Sequence, residues 1–408
     1  MTNETKDEGR GRRILFASSF YAPEIGGGAE LTMQRLVNGL TSRGYTAAVM
    51  TTGEVECTEV VEGVTVHRFP IDNSFRKLNR DLPGKLQRTL WQIRDRNSRL
   101  MEQRFDRLVR SFKPDVVQFH NLSGITRSVW AVPRRHGIPS VQVLHDLNLI
   151  CPNSSMFKHG SSCVKRCGSC ILFRQGYALA SNDVSAAVGV SRYVLGEITG
   201  AGLFAQAKQR AIYNAQRLPG PSPLPASETM RFGYIGSLAP HKGVEWLIEQ
   251  FESDMGELLI AGSGTSDYVE RLKSLAEGKR ITFLGHRPSL EFFPAVHVGV
   301  APSIWNEALG GVAIEGSAHG RPVIASRRGG LPEVVDDGVT GILVDPDRPE
   351  TLGDAMRTLS RDPAMVSRMA RAGPKNVETF TNLDRFVGEY ERLYDALGVR
   401  DQSLVNIG

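Results

Sequence analysis

The chain has 408 residues, enough for two or three domains that each bury a core of their own. With 41% hydrophobic and 23% charged residues it reads as an ordinary soluble globular protein, and a net charge of +5 is too mild to argue for nucleic acid as a partner. No apolar run approaches the roughly 18 residues of a membrane-spanning helix; the start MTNETKDEGRGRR lacks the apolar stretch of a secretory signal, and five cysteines without such a signal point to a reducing compartment, the cytoplasm.

Residues 1–12 read as a disordered leader. Residues 13–20, RILFASSF, are an apolar run of strand length. They feed a loop ending in Gly26, Gly27 and Gly28, then a predicted helix over 29–43 with Leu31, Leu36, Val37 and Leu40 near helical spacing. A strand, a glycine loop and a helix open a Rossmann-like unit. Glycines without Cβ let backbone N–H groups approach a phosphate, although a triple glycine is as readily a plain tight turn. Strands follow at 47–52 and 64–69. From 76 to 113 the character changes: twelve Lys/Arg stand against four Asp/Glu, a net +8, beside an apolar stripe from Leu86 to Phe112. One long amphipathic helix is predicted, its basic face either solvated or in peripheral contact with anionic membrane.

Residues 116–120 and 140–145 alternate with a helical stretch at 128–136, continuing the strand–helix pattern. His145 ends a strand, the edge at which open parallel sheets bind ligands, so it is a candidate site residue, with His120 a second. Cys151, Cys163, Cys167 and Cys170 mark a cysteine-rich insertion over 151–170. The last pair has zinc-knuckle spacing, and four thiolates would close a structural zinc site; inert reduced thiols and a disulfide are the alternatives. Residues 184–190 read as the last strand of the first half, with Ser191 opening a helix. PGPSPLP, at 219–225, is the clearest linker. The expected division is a first domain over 13–218, a link over 219–228, a second domain over 229–376, and a closing helix and tail over 377–408.

The second half opens with a strand at 231–236 and the turn SLAPHKG, whose Lys242 precedes a helix and is placed to neutralise a diphosphate. Further strands are read at 258–264 and 281–284. The densest stretch is 301–335, APSIWNEALGGVAIEGSAHGRPVIASRRGGLPEVV. A β-branched run stops at Pro302, and Gly310 and Gly311 turn the chain into a helix reaching about His319. The start of such a helix offers unsatisfied N–H donors and partial positive charge, a cradle for a diphosphate. Glu307 before the helix and Glu315 inside it, eight positions apart, would flank a ligand held there. A short strand at 341–344 and helices at 349–361, 364–373 and 383–397 complete the chain.

The pattern P-S-x-x-x-E-x-x-G-x-x-x-x-E, followed by G-x-P-V-I-A-S and G-G-L-P-E-V-V, resembles the donor site of retaining glycosyltransferases of family 4. The HD-x4-CP start of the cysteine-rich insertion resembles a bacterial branch of that family. The resemblance runs over 13–397 and is strongest at 233–346. It implies an α/β chain of the GT-B fold, two Rossmann-like parallel-sheet domains facing a cleft, with a C-terminal helix crossing back to the first. It further implies transfer of a sugar from a nucleotide-diphosphate donor to a glycan or lipid-linked acceptor, with no cofactor required for catalysis. Glu307 would then contact the donor sugar, Glu315 the ribose and Lys242 the diphosphate, with Gly27 and Gly28 facing Gly310 and Gly311 across the cleft and His145 over the sugar. Ser237 departs from the pattern, standing where such sequences commonly carry an arginine, so Arg287 or Arg327 would have to supply the second cation. A sugar-nucleotide epimerase of this fold and an inactive nucleotide-sugar binder are the alternative readings. Nothing establishes the close carboxylate pair of a retaining glycosidase; electrostatic stabilisation of the leaving diphosphate is the expected mode of catalysis.

Overall fold

The computed structural model describes residues 11–76 and 84–399. Most of the expected leader, residues 77–83 of the basic segment and the end of the tail lie outside the described residues.

The strands, in chain order, are β1 (Arg13–Ala17), β2 (Thr46–Gly53), β3 (Cys57–Val61), β4 (Val64–Pro70), β5 (Val116–Phe119), β6 (Ser140–Leu144), β7 (Phe157–Lys158), β8 (Ser161–Ser162), β9 (Ala186–Gly189), β10 (Lys208–Ala211), β11 (Arg231–Ile235), β12 (Glu257–Ala261), β13 (Ile281–Gly285), β14 (Val298–Ala301), β15 (Val323–Ser326) and β16 (Gly341–Val344). Eight of them form the first sheet, ordered β10-β9-β6-β5-β1-β2-β4-β3, and six the second, ordered β13-β12-β11-β14-β15-β16. Pairing is parallel throughout, apart from the antiparallel β3–β4 pair and the small β7–β8 hairpin. The central strands β1, β5, β6, β9, β14 and β15 are buried along nearly their whole length, which is why they read as unbroken apolar runs rather than alternating ones. This is the two-sheet α/β architecture expected from the sequence.

The helix Leu383–Ala396 crosses back to the first half: Phe386, Val387, Tyr390, Leu393 and Tyr394 belong to the same core as Ile14, Phe16, Met33 and Leu36. Arg43 fastens it from outside, bonding Asp384 at 2.8 Å and Glu391 at 2.5 Å. Between the sheets, residues 219–225 carry no regular structure. They are pinned by the buried Arg321, whose guanidinium donates to the carbonyls of Ser222 and Pro223, both at 2.8 Å.

Two expectations need correction. The single helix predicted over 76–113 is two, Lys85–Arg94 and Arg99–Phe112. Ser98 caps the second by accepting from the Met101 N–H at 3.1 Å, and the buried Asp95 accepts from the Gly124 N–H at 2.6 Å, so the chain turns where the apolar periodicity runs on. The strand at 184–190 is not the last of the first half either, because β10 pairs beyond it as an exposed edge. Among the described residues no helix is long and apolar enough to cross a membrane.

Candidate functional site

Strands β11 and β14 lie side by side in the second sheet, so the loops leaving them meet at its C-terminal edge. There the Lys242 Nζ stands 2.7 Å from Glu307 Oε1 and 4.8 Å from the centre of the Trp305 ring. Ser303 Oγ donates to the same carboxylate oxygen at 2.6 Å. Burial on its own would raise the Glu307 pKa; Lys242 and Ser303 outweigh it and hold the carboxyl below its ordinary value. Glu307 is therefore ionised at neutral pH.

Two glycines make this approach possible. Gly243, at φ 73°, packs on Pro302, whose carbonyl oxygen would lie 1.9 Å from a Cβ placed there. Gly329, at φ 58°, packs on the Glu307 backbone with only 2.1 Å to its carbonyl oxygen. The Gly330 N–H then donates to the Glu307 carbonyl at 2.8 Å. The separated motifs H-K-G and G-G-L-P-E thus buttress the Glu307 loop from two sides.

Gly310 caps the helix Gly311–Ala318, and its start is open, with nothing within 4 Å of the position a Gly311 Cβ would take. Glu315, inside the helix, sits among Ser289, Gln216 and Arg35; burial raises its pKa and these neighbours oppose the rise. Arg35 belongs to the helix Gly28–Thr41 of the first half, so this charge interaction reaches from one half to the other. It was not foreseen, since one cation on a helix face carries no signal of its own. Gly27 and Gly28 begin that same helix, where burial raises the pKa of Glu30 and the backbone of Glu30 and Gly27 opposes the rise. Ser237 is exposed just after β11, its carbonyl accepting from Tyr234 Oη at 2.7 Å. Of the two arginines expected to replace the missing cation, Arg327 is paired with Asp337 at 2.8 Å and Arg287 is exposed.

His145 follows β6, with its Nε2 2.7 Å from His120 Nδ1 and the two rings stacked at 5.0 Å. The Gln118 amide nitrogen donates to His120 Nε2 at 2.9 Å, and Tyr394 Oη of the returning helix donates to the Gln118 amide oxygen. His120 Nε2 therefore accepts, its Nδ1 proton goes to His145 Nε2, and His145 keeps its own proton on Nδ1. Burial lowers the His145 pKa to about 4; burial and the neighbouring His145 lower that of His120 well below the ordinary histidine value. Both rings are neutral at neutral pH.

The two halves are also clamped at the cleft. Ser191 Oγ accepts from the Val194 N–H at 3.1 Å, capping the helix Arg192–Gly200, and donates to the Ala308 carbonyl at 2.5 Å. Glu333, from the G-G-L-P-E motif, accepts from the N–H groups of Arg192 at 2.9 Å and Tyr193 at 2.8 Å and from Tyr213 Oη at 2.8 Å.

The four-thiolate zinc site is not supported. Among the described residues no group of three or more His, Cys, Asp or Glu side chains is placed to hold a metal ion. The four thiols instead line a cavity of about 610 Å³, with Phe75, Trp91, Phe157 and Phe173, beside rather than at Glu307 and Lys242. Within it the Sγ atoms of Cys167 and Cys170 are 3.6 Å apart, and Cys167 Sγ also bonds Ser169 Oγ at 3.1 Å. The Ser169 hydroxyl and nearby backbone N–H groups lower the Cys167 thiol to about 7, whereas burial raises Cys170 and Cys163.

Residues 27–215 match the family model of a glycosyl transferase 4-like domain, and residues 229–362 that of glycosyl transferases group 1. The chain is 27% identical over 323 residues to an uncharacterized 42.6 kDa protein in the cps region of Klebsiella pneumoniae, covering 79% of this chain and 87% of that one. It is 34% identical over 195 residues to a D-inositol 3-phosphate glycosyltransferase of Corynebacterium diphtheriae, 44% of each chain, and 27% identical over 391 residues to a glycogen synthase of Mycobacterium tuberculosis, 88% of this chain and 89% of that one. Among solved structures, sucrose-phosphate synthase from Thermosynechococcus elongatus superposes with a TM-score of 0.72 at 20% identity, covering 95% of this chain and 99% of that one. Anabaena HepE in complex with UDP-glucose superposes at 0.65 and 20% identity, covering 94% and 99%. With one glycosyl transferase model on each sheet and the same two-sheet layout in the solved neighbours, the chain belongs to the glycosyltransferases of the GT-B fold.

Proposed function

We propose that this glycosyltransferase moves a sugar, with retention at the anomeric carbon, from a nucleotide-diphosphate donor held by the second half to a hydroxyl of a glycan or lipid-linked acceptor brought by the first. The observation that carries this reading is the Lys242–Glu307 contact at 2.7 Å, set at the strand ends in the same loop region as the open helix start at Gly311. A departing diphosphate gathers negative charge, and a fixed ammonium with helix-terminal N–H donors stabilises that charge without reorganisation. In this reading Lys242 and those donors carry catalysis, rather than a cofactor.

Glu307, ionised, accepts from the sugar hydroxyls. Glu315 takes the ribose hydroxyls, Gly310 and Gly311 hold the diphosphate with Gly27 and Gly28 opposite, and Ser237 lines the donor loop. His145, neutral and carrying its Nδ1 proton, donates a hydrogen bond to the sugar or phosphate. The leaving phosphate accepts the proton of the attacking hydroxyl. HepE, whose solved complexes contain UDP and UDP-glucose, supports a nucleotide-sugar donor. The cps-region relative supports a role in cell-surface polysaccharide or lipid-linked glycan synthesis.

The test is a thermal-shift screen against UDP-, GDP-, ADP- and dTDP-sugars, followed by turnover of Glu307→Gln with the donor so identified. A donor at about 100 times its Kd stabilises the fold by about 2.7 kcal/mol, a readily measured rise in melting temperature. One nucleotide is expected to stand out, and Glu307→Gln to lose at least about 100-fold in transfer while staying folded. No shift with any donor sinks the proposal, and full activity in Glu307→Gln removes that residue from the site.

A further inference from the structure

The proposed transfer uses none of the thiols in the insertion, yet two of them are placed for chemistry of their own. Cys167 and Cys170 have their Sγ atoms 3.6 Å apart, and a disulfide needs about 2.05 Å, so rotation about side-chain bonds spans the difference. Cys167 stands in extended backbone just before the short helix Gly168–Phe173, and Cys170 lies within its first turn. Cys167 is partly exposed and Cys170 is buried, so a reagent in solution reaches the first sulfur while the second waits behind it. The Ser169 hydroxyl, 3.1 Å from Cys167 Sγ, and the backbone N–H groups at the start of the helix favour the Cys167 thiolate.

We propose that Cys167 and Cys170 are a reversible dithiol–disulfide modification site, with a small-molecule disulfide as oxidant. The Cys167 thiolate attacks one sulfur of the external disulfide, forming a mixed disulfide and expelling one thiolate. Cys170 then loses its proton to solvent and attacks the Cys167 sulfur; the protein disulfide forms and the second external thiolate leaves. Two protein thiols are oxidised, and one external disulfide is reduced to two thiols. Closing so short a loop removes little chain entropy, so the bond adds little stability and reverses readily in a reducing thiol buffer.

The site is mechanically joined to the donor half. The Cys163 N–H donates to the Met156 carbonyl at 2.6 Å, at the base of the β7–β8 hairpin. From that hairpin Ser162 Oγ donates to the Ile304 carbonyl at 3.4 Å, and the Phe157 ring lies 6.4 Å from that of His241, the neighbour of Lys242.

The experiment uses the full chain carrying Cys57→Ser, which removes the exposed cysteine of β3. The protein is equilibrated with oxidised glutathione, alkylated and digested with trypsin, which releases residues 167–174 as one peptide holding only these two cysteines. The expected product is that peptide unalkylated and lighter by two hydrogens, restored to two alkylated thiols by dithiothreitol. Adding Cys170→Ser is expected to trap glutathione on Cys167. Recovery of both thiols alkylated, or each separately carrying glutathione, overturns the proposal. So does near-stoichiometric zinc in protein purified without chelator that disappears in Cys167→Ser, since the thiols would then be ligands.

Discussion

His145 shows how burial sets the state of one side chain and, through it, a pH dependence of the whole fold. Its pKa in the folded chain, about 4, lies below the value of about 6.5 that it has when unfolded. As pH falls, the unfolded chain therefore takes up this proton first. The stability that neutral His145 contributes is complete above about pH 6.5, declines below it, and is gone near pH 4, a loss on the order of 3 kcal/mol. His120 acts in the same direction. The urea midpoint is expected to drop between pH 7 and 4.5, and to drop distinctly less in His145→Gln; parallel pH curves for the two proteins would contradict the burial argument. His145 and His120 could be picked out in the sequence because they sit at strand ends, but their coupling through Gln118 to Tyr394 could not, as those residues lie hundreds of positions apart. Lys242 and Glu307 could be placed in loops after strands and Glu315 in the helix that follows, because their motifs are local; the roles given to them come from the resemblance. Arg35 and Glu333 were not legible, because each acquires its role only from a partner that the fold selects.

At the scale of elements, the helix Lys85–Arg94 stands out for facing the wrong way. Leu86 is 73% exposed, Leu90 47% and Ile93 48%, along one stripe at helical spacing, while Trp91 points inward and donates from Nε1 to the Phe75 carbonyl at 2.8 Å. Arg88 and Arg94, also exposed, lie beside that stripe. An apolar ridge flanked by cations suits peripheral contact with an anionic bilayer, to which each basic group adds about 1 kcal/mol. Replacing Leu86, Leu90 and Ile93 together by Gln is expected to cut co-sedimentation with anionic vesicles at least about tenfold. Each change should cost no more than about 0.5 kcal/mol of stability, since nothing is uncovered in the core. Unchanged co-sedimentation would mean the ridge is simply solvated. Periodicity had joined this helix to Arg99–Phe112, whose Met101, Phe105 and Leu108 are core residues; only Ser98, a capping residue, marked the break. The buried strands were legible as apolar runs, but β3 (CTEVV) and β10 (KQRA) were not, because exposed edge strands carry no such pattern.

Across the whole molecule, the division into two halves follows from the order of strands and helices, but the way they meet does not, since residues more than a hundred positions apart decide it. Glu333 is the clearest of these. It lies in the second half with its side chain 12% exposed, and its carboxylate receives two N–H groups from the start of the helix Arg192–Gly200 and the hydroxyl of Tyr213. Anions are favoured at such a helix start, so Glu333 ties the first half to the second beside the loop that Ser191 grips at Ala308. On the proposed reading the second half holds the donor and the first half holds the acceptor in line. Glu333→Ala should therefore separate binding from turnover. The nucleotide-induced melting shift is expected to stay close to that of the unmodified chain, while kcat falls about tenfold or more because the acceptor is misplaced over an intact donor site. If donor binding and turnover fall together, Glu333 supports the donor pocket itself; if neither changes, the remaining contacts, from Ser191 to the returning helix, suffice to hold the halves in register.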